Sequence, residues 1–297
     1  MRATLAIALI AFATSLPTSL HAQANYDTVQ VRSAALGGGV HVLFGAGGNI
    51  GVSVGDDAVF VIDDQFAPLT PKILAAIRAL SDKPVKFVVN THWHFDHTGG
   101  NENMGKAGAL IVAHDNVRKR MSTEQFMAAL NRREPPSPRA ALPVVTFNDG
   151  VTFHINGDSV AATHVAPAHT DGDAVVHFLK ANVVHMGDVF NNAGFPFVDL
   201  SSGGSVHGVI AAADKVYATT NDATKIIPGH GQVTDRARLK LWRDAIVAVR
   251  DGVQREVRAG RSVDQVLALK LAAPYEKEWA GGHERFVRAV FEELSRR

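Results

Sequence analysis

The segment VVNTHWHFDHTGG, residues 88–100, places His92, His94, Asp96 and His97 within six positions of one another, directly after a short apolar run at residues 85–90. This feature constrains the rest of the chain. Alternation along an extended backbone sends His92 and His94 to the same side, and a turn brings Asp96 and His97 to a neighbouring point. Two adjoining metal positions result, one taking His92 and His94 and the other Asp96 and His97, and each needs further ligands from elsewhere in the fold. A single histidine is readily explained as a hydrogen-bonded structural residue; three histidines and an aspartate at one strand mouth are not. The chain holds 14 histidines and no cysteine, so its metal chemistry rests on imidazole and carboxylate. Disulfides, thiol nucleophiles, iron–sulfur clusters and thiolate metal sites are excluded together.

The missing ligands are expected at other strand ends. Three segments qualify: APAHTDGD at 166–173, HMGDV at 185–189 and IIPGHG at 226–231. Each contains a Gly-bearing turn with His or Asp at its mouth. Around them the chain reads as strands at 29–32, 40–44, 50–54 and 58–62, a helix opened by Thr70-Pro71, and a strand at 85–90. Strands are expected again at 109–113, 159–165, 174–180 and 183–186, and a helix at 205–218. The clearest helix is capped by Thr234 and stopped by Gly260, with Leu239, Trp242, Ile246, Val249 and Val253 forming one apolar stripe. Residues 131–143, NRREPPSPRAALP, read as a surface excursion joining two halves, and Arg118-Lys119-Arg120 as a solvated helix end.

Residues 1–24 carry Arg2, an apolar stretch over 5–13 and the small-x-small triplet Ala22-Gln23-Ala24, the pattern of a secretory signal peptide. The apolar stretch is shorter than the roughly 20 residues of a spanning helix, and Pro17 breaks the chain soon after it. The expectation is a periplasmic or secreted protein with residues 25–297 as one domain and no stable membrane span after cleavage. Thirty Lys and Arg balance 29 Asp and Glu, which argues against nucleic acid as a bulk partner; the partner expected of an open metal site is a small-molecule substrate. Oligomeric state is not legible.

The ordered set HxHxDH, a later His, a GD after a strand, and PGHG resembles the metallo-β-lactamase-fold hydrolases, whose α/β fold is an αββα sandwich of two βα halves. The resemblance covers residues 40–231. It implies that His92, His94 and His169 hold a first metal and that Asp96, His97 and His230 hold a second, with Asp188 bridging. It also implies that Asp63, at the end of VFVID, braces the metal loop. His114, His154, His164, His177, His185, His207 and His283 match no ligand motif and are expected to be surface or structural residues.

The implied chemistry is hydrolysis by a hydroxide shared between two divalent ions, with Asp96 orienting it as the catalytic carboxylate. Zinc is the expected metal, and iron or manganese would also suit an all-N/O set. Substrate contacts are expected from the loop after Asp188, with Asn191 as a polar contact and Phe195 and Phe197 as an apolar wall; the same phenylalanines could instead pack the loop onto the core. The glycine turn GAGGNIG, residues 45–51, could fold over substrate or be a simple hairpin.

The loop FPFVDLSSGGS looks similar to exported relatives of the zinc β-lactamases, which makes β-lactam-type substrates the leading expectation. Two departures weaken it. Asp188 stands where those enzymes carry cysteine, and Asn191 stands where they commonly place lysine, which points towards lactonase or glyoxalase-type thioesterase chemistry. Phosphodiesterase activity and a non-catalytic periplasmic metal-binding or redox-accessory role are alternatives. A flavodiiron-type role would need a flavin domain that residues 232–297 are too few and too helical to provide.

Overall fold

Phe60 and Ile62 leave their strand on one side and Val59 and Val61 on the other, and all four are fully buried. Such a strand needs an apolar layer on each face. The computed structural model describes residues 25–296, and the expected signal peptide lies outside them.

The first sheet comprises β1 (Arg32–Gly37), β2 (Val40–Phe44), β3 (Ile50–Ser53), β4 (Val59–Ile62), β5 (Val85–Val89), β6 (Leu110–His114) and β9 (Val145–Phe147), hydrogen-bonded in that order. Its first four strands pair antiparallel, and β4, β5, β6 and β9 run parallel. Between them lie α1 (Thr70–Arg78), α2 (Phe95–Thr98), α3 (Asn101–Lys106), α4 (Asp115–Met121) and a hairpin of β7 (Gln125–Met127) and β8 (Arg132–Glu134). The second sheet is β10 (Gly150–Ile155), β11 (Asp158–His164), β12 (Ala174–Phe178), β13 (Val183–His185), β14 (Lys225–Ile227) and β15 (Thr234–Asp235), in that order. Its pairs are antiparallel except the parallel β13–β14 step. It is covered by α5 (Val206–Thr219), α6 (Arg236–Arg258), α7 (Val263–Ala268) and α8 (His283–Ser295).

Three apolar layers make the expected αββα sandwich. Phe60, Ile62 and Val89 of the first sheet meet Val160, Val176 and Phe178 of the second. Ile73 and Ile77 of α1 pack outside the first sheet on Val59 and Val61. The stripe Leu239, Trp242, Ile246, Val249 and Val253 packs α6 outside the second. Among the described residues, no helix is long and apolar enough to cross a membrane.

Several elements differ from the sequence expectation. The first strand begins at Arg32, where the 29–32 run is expected to form one. Val29 and Val31 instead lie against the outer apolar layer as irregular chain, tied down by Lys72 Nζ, which donates to the carbonyls of Tyr26, Asp27 and Val29. β1 is a largely exposed edge strand, so it carries no alternating signal. Helix α6 is capped by Asp235 rather than Thr234, through a bond from the Arg238 amide. Residues 131–143 do not join the halves. They contain β8, and the chain then returns to the first sheet as β9, so the halves meet in the short β9–β10 turn. The basic run ends α4, but Arg120 is no solvated cation there; it pairs with Asp171.

Candidate metal centre

The loops at the ends of β4, β5, β11, β13 and β14 converge on one point. After β4, Asp63 adopts a left-handed conformation at φ 60, which Asp tolerates better than most residues. There its Oδ1 accepts from the Thr91 amide at 2.8 Å, and its Oδ2 accepts from the Thr91 hydroxyl at 2.7 Å and from His97 Nδ1 at 2.8 Å. These bonds hold the His-rich loop between β5 and α2. His169 comes from the loop between β11 and β12, Asp188 from the turn Gly187–Val189 after β13, and His230 from the turn after β14.

The outer hydrogen bonds fix which nitrogen of each ring faces inward. His94 Nε2 lies 3.1 Å from the Asp199 carboxylate, and His169 Nδ1 lies 2.6 Å from the Phe197 carbonyl, so each of these nitrogens carries the proton. The Thr91 hydroxyl spends its hydrogen on Asp63 and therefore accepts from His92 Nδ1 at 3.0 Å. What remains are three lone pairs pointing at one another. His94 Nδ1 and His169 Nε2 face each other at 2.8 Å with no hydrogen between them, and His92 Nε2 is buried without a partner. Facing lone pairs in a buried site need a cation, and the three atoms lie within 4.8 Å of one another. Burial pushes the His92 imidazole well below its ordinary pKa and, with His94 beside it, pushes His169 down to about 4.

A second cluster adjoins the first. His97 Nε2 lies 3.1 Å and His230 Nε2 3.3 Å from Asp188 Oδ1, and His230 Nε2 lies 3.3 Å from Asp96 Oδ2. The other oxygen of Asp188, Oδ2, approaches the first cluster, 3.6 Å from His169 Nε2 and 4.0 Å from His92 Nε2. One carboxylate thus spans both clusters. Burial opposes charging His97, but Asp188, Asp96 and Asp63 hold it well above the ordinary histidine value; Asp188 first among its neighbours raises His230 to about 10. Burial likewise opposes ionising Asp96, yet His97 and His230 hold it down at about 2. The side chains of Asp96, His230 and Asp188 are 21%, 30% and 12% exposed, so the opening to solvent lies on this side.

Two glycines are demanded by close approach. A Cβ on Gly48 would sit 2.1 Å from His97 Cε1, and one on Gly229 would sit 2.0 Å from Asp188 Oδ1. The 45–51 turn is therefore a packed hairpin beneath the second cluster. Asn49 locks it by donating to the carbonyls of Pro228 and Gly231 at 2.9 and 2.8 Å.

The model of the metallo-beta-lactamase superfamily matches residues 44–245, from the end of β2 into α6, and takes in every residue of both clusters. The chain belongs to the metallo-beta-lactamase superfamily. Among curated relatives, it is 26% identical over 269 residues to a linear primary-alkylsulfatase of Pseudomonas sp., covering 74% of this chain and 50% of that protein. It is 30% identical over 105 residues to the hydroxyacylglutathione hydrolase of Erythrobacter litoralis, covering 35% of this chain and 34% of that one. The chain thus spans half or less of the curated relatives it matches. Among solved structures, a metallo-beta-lactamase from Pontibacter korlensis superposes with a TM-score of 0.59 at 20% identity, over 73% of this chain and 99% of that one. The DIM-1 metallo-beta-lactamase superposes at 0.58 and 18% identity, over 73% and 97%. These two likenesses show the shared metallo-beta-lactamase fold.

Within this member of the superfamily, the loop after Asp188 divides its expected substrate contacts. Phe195 is no wall: it is 3% exposed and stacks on Phe286 of α8, ring centroids 5.5 Å apart, inside the outer core. Phe197, half-buried, lies 5.8 Å from His94 in a stacked arrangement and 5.6 Å from His169. Asn191 accepts from the Ala193 amide at 2.9 Å, closing its own turn, and its backbone pairs with His230. Sequence reasoning passes over Asp199, although DLSS is a side-chain capping pattern. Its Oδ1 caps the turn Leu200–Ser202 while its Oδ2 fixes His94. Burial opposes its charge, but His94 and the two serines hold the carboxyl well below the usual range. Of the histidines outside the ligand motifs, His185 is fully buried and bonded to the Asn49 carbonyl, and His114 stacks on His164 at 3.9 Å.

Proposed function

We propose that the chain is a two-metal hydrolase in which His92, His94 and His169 hold one divalent ion, Asp96, His97 and His230 hold a second, and Asp188 is shared. The observation that carries this reading is the inward convergence of ring lone pairs, His94 Nδ1 facing His169 Nε2 with buried His92 Nε2 left unpartnered beside them, next to one carboxylate, Asp188, that reaches both clusters. An all-N/O donor set suits zinc, and iron or manganese as alternatives. The ions, when bound, supply an acidified water and Lewis-acid polarisation of the bond to be cleaved. With the ions bound, Asp96, ionised and at the open edge, would orient the attacking water and take up its proton. As the water oxygen bonds to the electrophilic centre and the bond to the leaving group breaks, the proton held at Asp96 would pass to the departing oxygen, nitrogen or sulfur. Asp199 keeps the inward nitrogen of His94 free, Asp63 holds Nδ1 of His97 so that Nε2 faces the second position, and Phe197 covers His94.

The bond best suited to this centre is an ester-type bond: a lactone, a thioester or a sulfate ester. An oxygen bridge at Asp188 supports that class over the lactam, as do the names of the two curated relatives. β-Lactam opening is the second reading, favoured by the FPFVDLSSGGS loop and weakened because Asn191 is neutral and engaged in its own turn. The leader-like residues 1–24 support a periplasmic or secreted location. The test is turnover by zinc-loaded protein across an acyl-lactone, S-lactoylglutathione, an alkyl sulfate, a penicillin and a carbapenem. Hydrolysis of at least one ester-type substrate, abolished by chelation, is expected. No turnover with both metals bound would overturn the hydrolase reading and leave a metal-binding accessory protein.

A further inference from the structure

A cleft of about 660 Å³ lies beside the metal centre. Its walls are the hairpin tip at Ala128 and Ala129, the loop at Val198–Ser201, and the face of α8 that carries Arg285, Arg288 and Ala289. The size falls in the range of small-molecule sites. It is joined to the centre at two points. Asp199 lines it while bonding His94, and the Arg285 guanidinium lies 5.2 Å from the ring centroid of Phe197, the ring that stacks on His94.

The cations around the centre are not equivalent. Arg132 pairs with Glu134, Arg238 with Glu278, Arg288 with Glu284, and Arg296 with Glu292. Arg285 has no carboxylate within ion-pair distance among the described residues, and it is exposed. An aromatic face holds this guanidinium in place without neutralising it, so its five donors stay available to an anion. The apolar part of the cleft wall is Ala128, Ala129, Val198 and Ala289, the last two buried, and the carboxylates that share the wall are engaged: Glu284 with Arg288, Glu292 with Arg296 and Asp199 with His94.

We propose that Arg285 is a specificity residue, binding an anionic group on the non-reacting part of the substrate while the cleft beside it takes the apolar arm that carries the anion. The substrate class is then an ester-type molecule bearing a carboxylate, sulfate or sulfonate one aromatic ring away from His94. This rests on reading the centre as hydrolytic. It also accounts for the neutral Asn191: the anion is held from α8 instead of from the loop after Asp188.

The test measures binding of octane-1-sulfonate and 1-octanol, which share an apolar arm, to zinc-loaded full-length protein by calorimetry. The sulfonate should bind about tenfold more tightly than the alcohol. Arg285→Gln should bring that ratio to within about twofold of unity, Arg285→Lys should keep most of it, and Ala129→Trp should weaken both ligands by filling the cleft. An unchanged ratio in R285Q, or no preference for the sulfonate in the wild type, overturns the proposal. Hydrolysis is scored separately: failure to cleave any ester removes the hydrolytic reading, while the binding ratio still decides the role of Arg285.

Discussion

Asp199→Asn replaces one carboxylate oxygen by NH2 at almost constant volume, and the surroundings leave that NH2 nowhere to go. Oδ1 accepts from the amides of Ser201 and Ser202 at 3.1 and 3.2 Å and from the Ser201 hydroxyl. Oδ2 accepts from His94 Nε2 at 3.1 Å and from the Ser202 hydroxyl. In one orientation the new amide faces the donors of the turn and strips its cap. In the other it faces His94 and favours the tautomer with hydrogen on Nδ1, aimed at His169 Nε2 2.8 Å away. Either outcome acts on the first metal position, because the inward lone pair of His94 exists only while Nε2 holds the proton. Outer partners of metal-binding histidines are typically worth 10- to 100-fold in affinity, about 1.4 to 2.8 kcal/mol. Zinc competition against a chromophoric chelator should therefore show one of two equivalents weakened by that factor in D199N. Thermal melting of the metal-free forms checks that the fold persists. Two equivalents with wild-type affinity in a folded D199N would refute the role given to Asp199 and the tautomer given to His94.

Other consequences are as specific. The second metal position should release protons when filled, because carboxylates hold His97 well above its ordinary value and His230 at about 10. Its apparent affinity then rises with pH by about tenfold per unit for each proton displaced. The first position, where burial leaves His92 and His169 neutral near pH 7, should release far less; calorimetry in buffers of different ionisation enthalpy counts the protons, and equal release at both would sink the assignment. Gly48→Ala drives a methyl into His97, so the ring must move, at about 1–3 kcal/mol in stability and with loss of the second metal by mass spectrometry. A variant that kept both ions would contradict the close approach. Trp242→Ala empties the largest fully buried site and strands the Gly194 carbonyl that accepts from the indole at 3.0 Å. It should cost about 3–5 kcal/mol in denaturant unfolding, and a loss below about 1 kcal/mol would deny α6 its anchoring role.

How much the sequence revealed depended on whether a residue's role was set by its neighbours in the chain. His92, His94, Asp96 and His97 were legible because one strand end delivers them together, and the α6 stripe because five residues share one helical face. Asp199 was not, since its partner His94 lies 105 positions away and the bond depends on how a later loop folds back. Phe195 and Phe197 belong to one motif, yet the fold buries the first on Phe286 and turns the second to His94. The run at 29–32 alternates like a strand, but its apolar side chains serve the outer layer while the real edge strand, mostly exposed, carries no pattern. Strand β10 did carry one, in Val151, Phe153 and Ile155, and Phe153 packs edge-on to Phe60 at 4.9 Å. That alternation is legible in the sequence alone.

The proposed function requires two ions that share Asp188. Crystals of the protein grown with zinc, measured above and below the zinc absorption edge, test it most directly. The expected map has two anomalous peaks on either side of the Asp188 carboxylate, one among His92, His94 and His169 and one among Asp96, His97 and His230. A single peak, or a pair in which Asp188 touches neither ion, would contradict it.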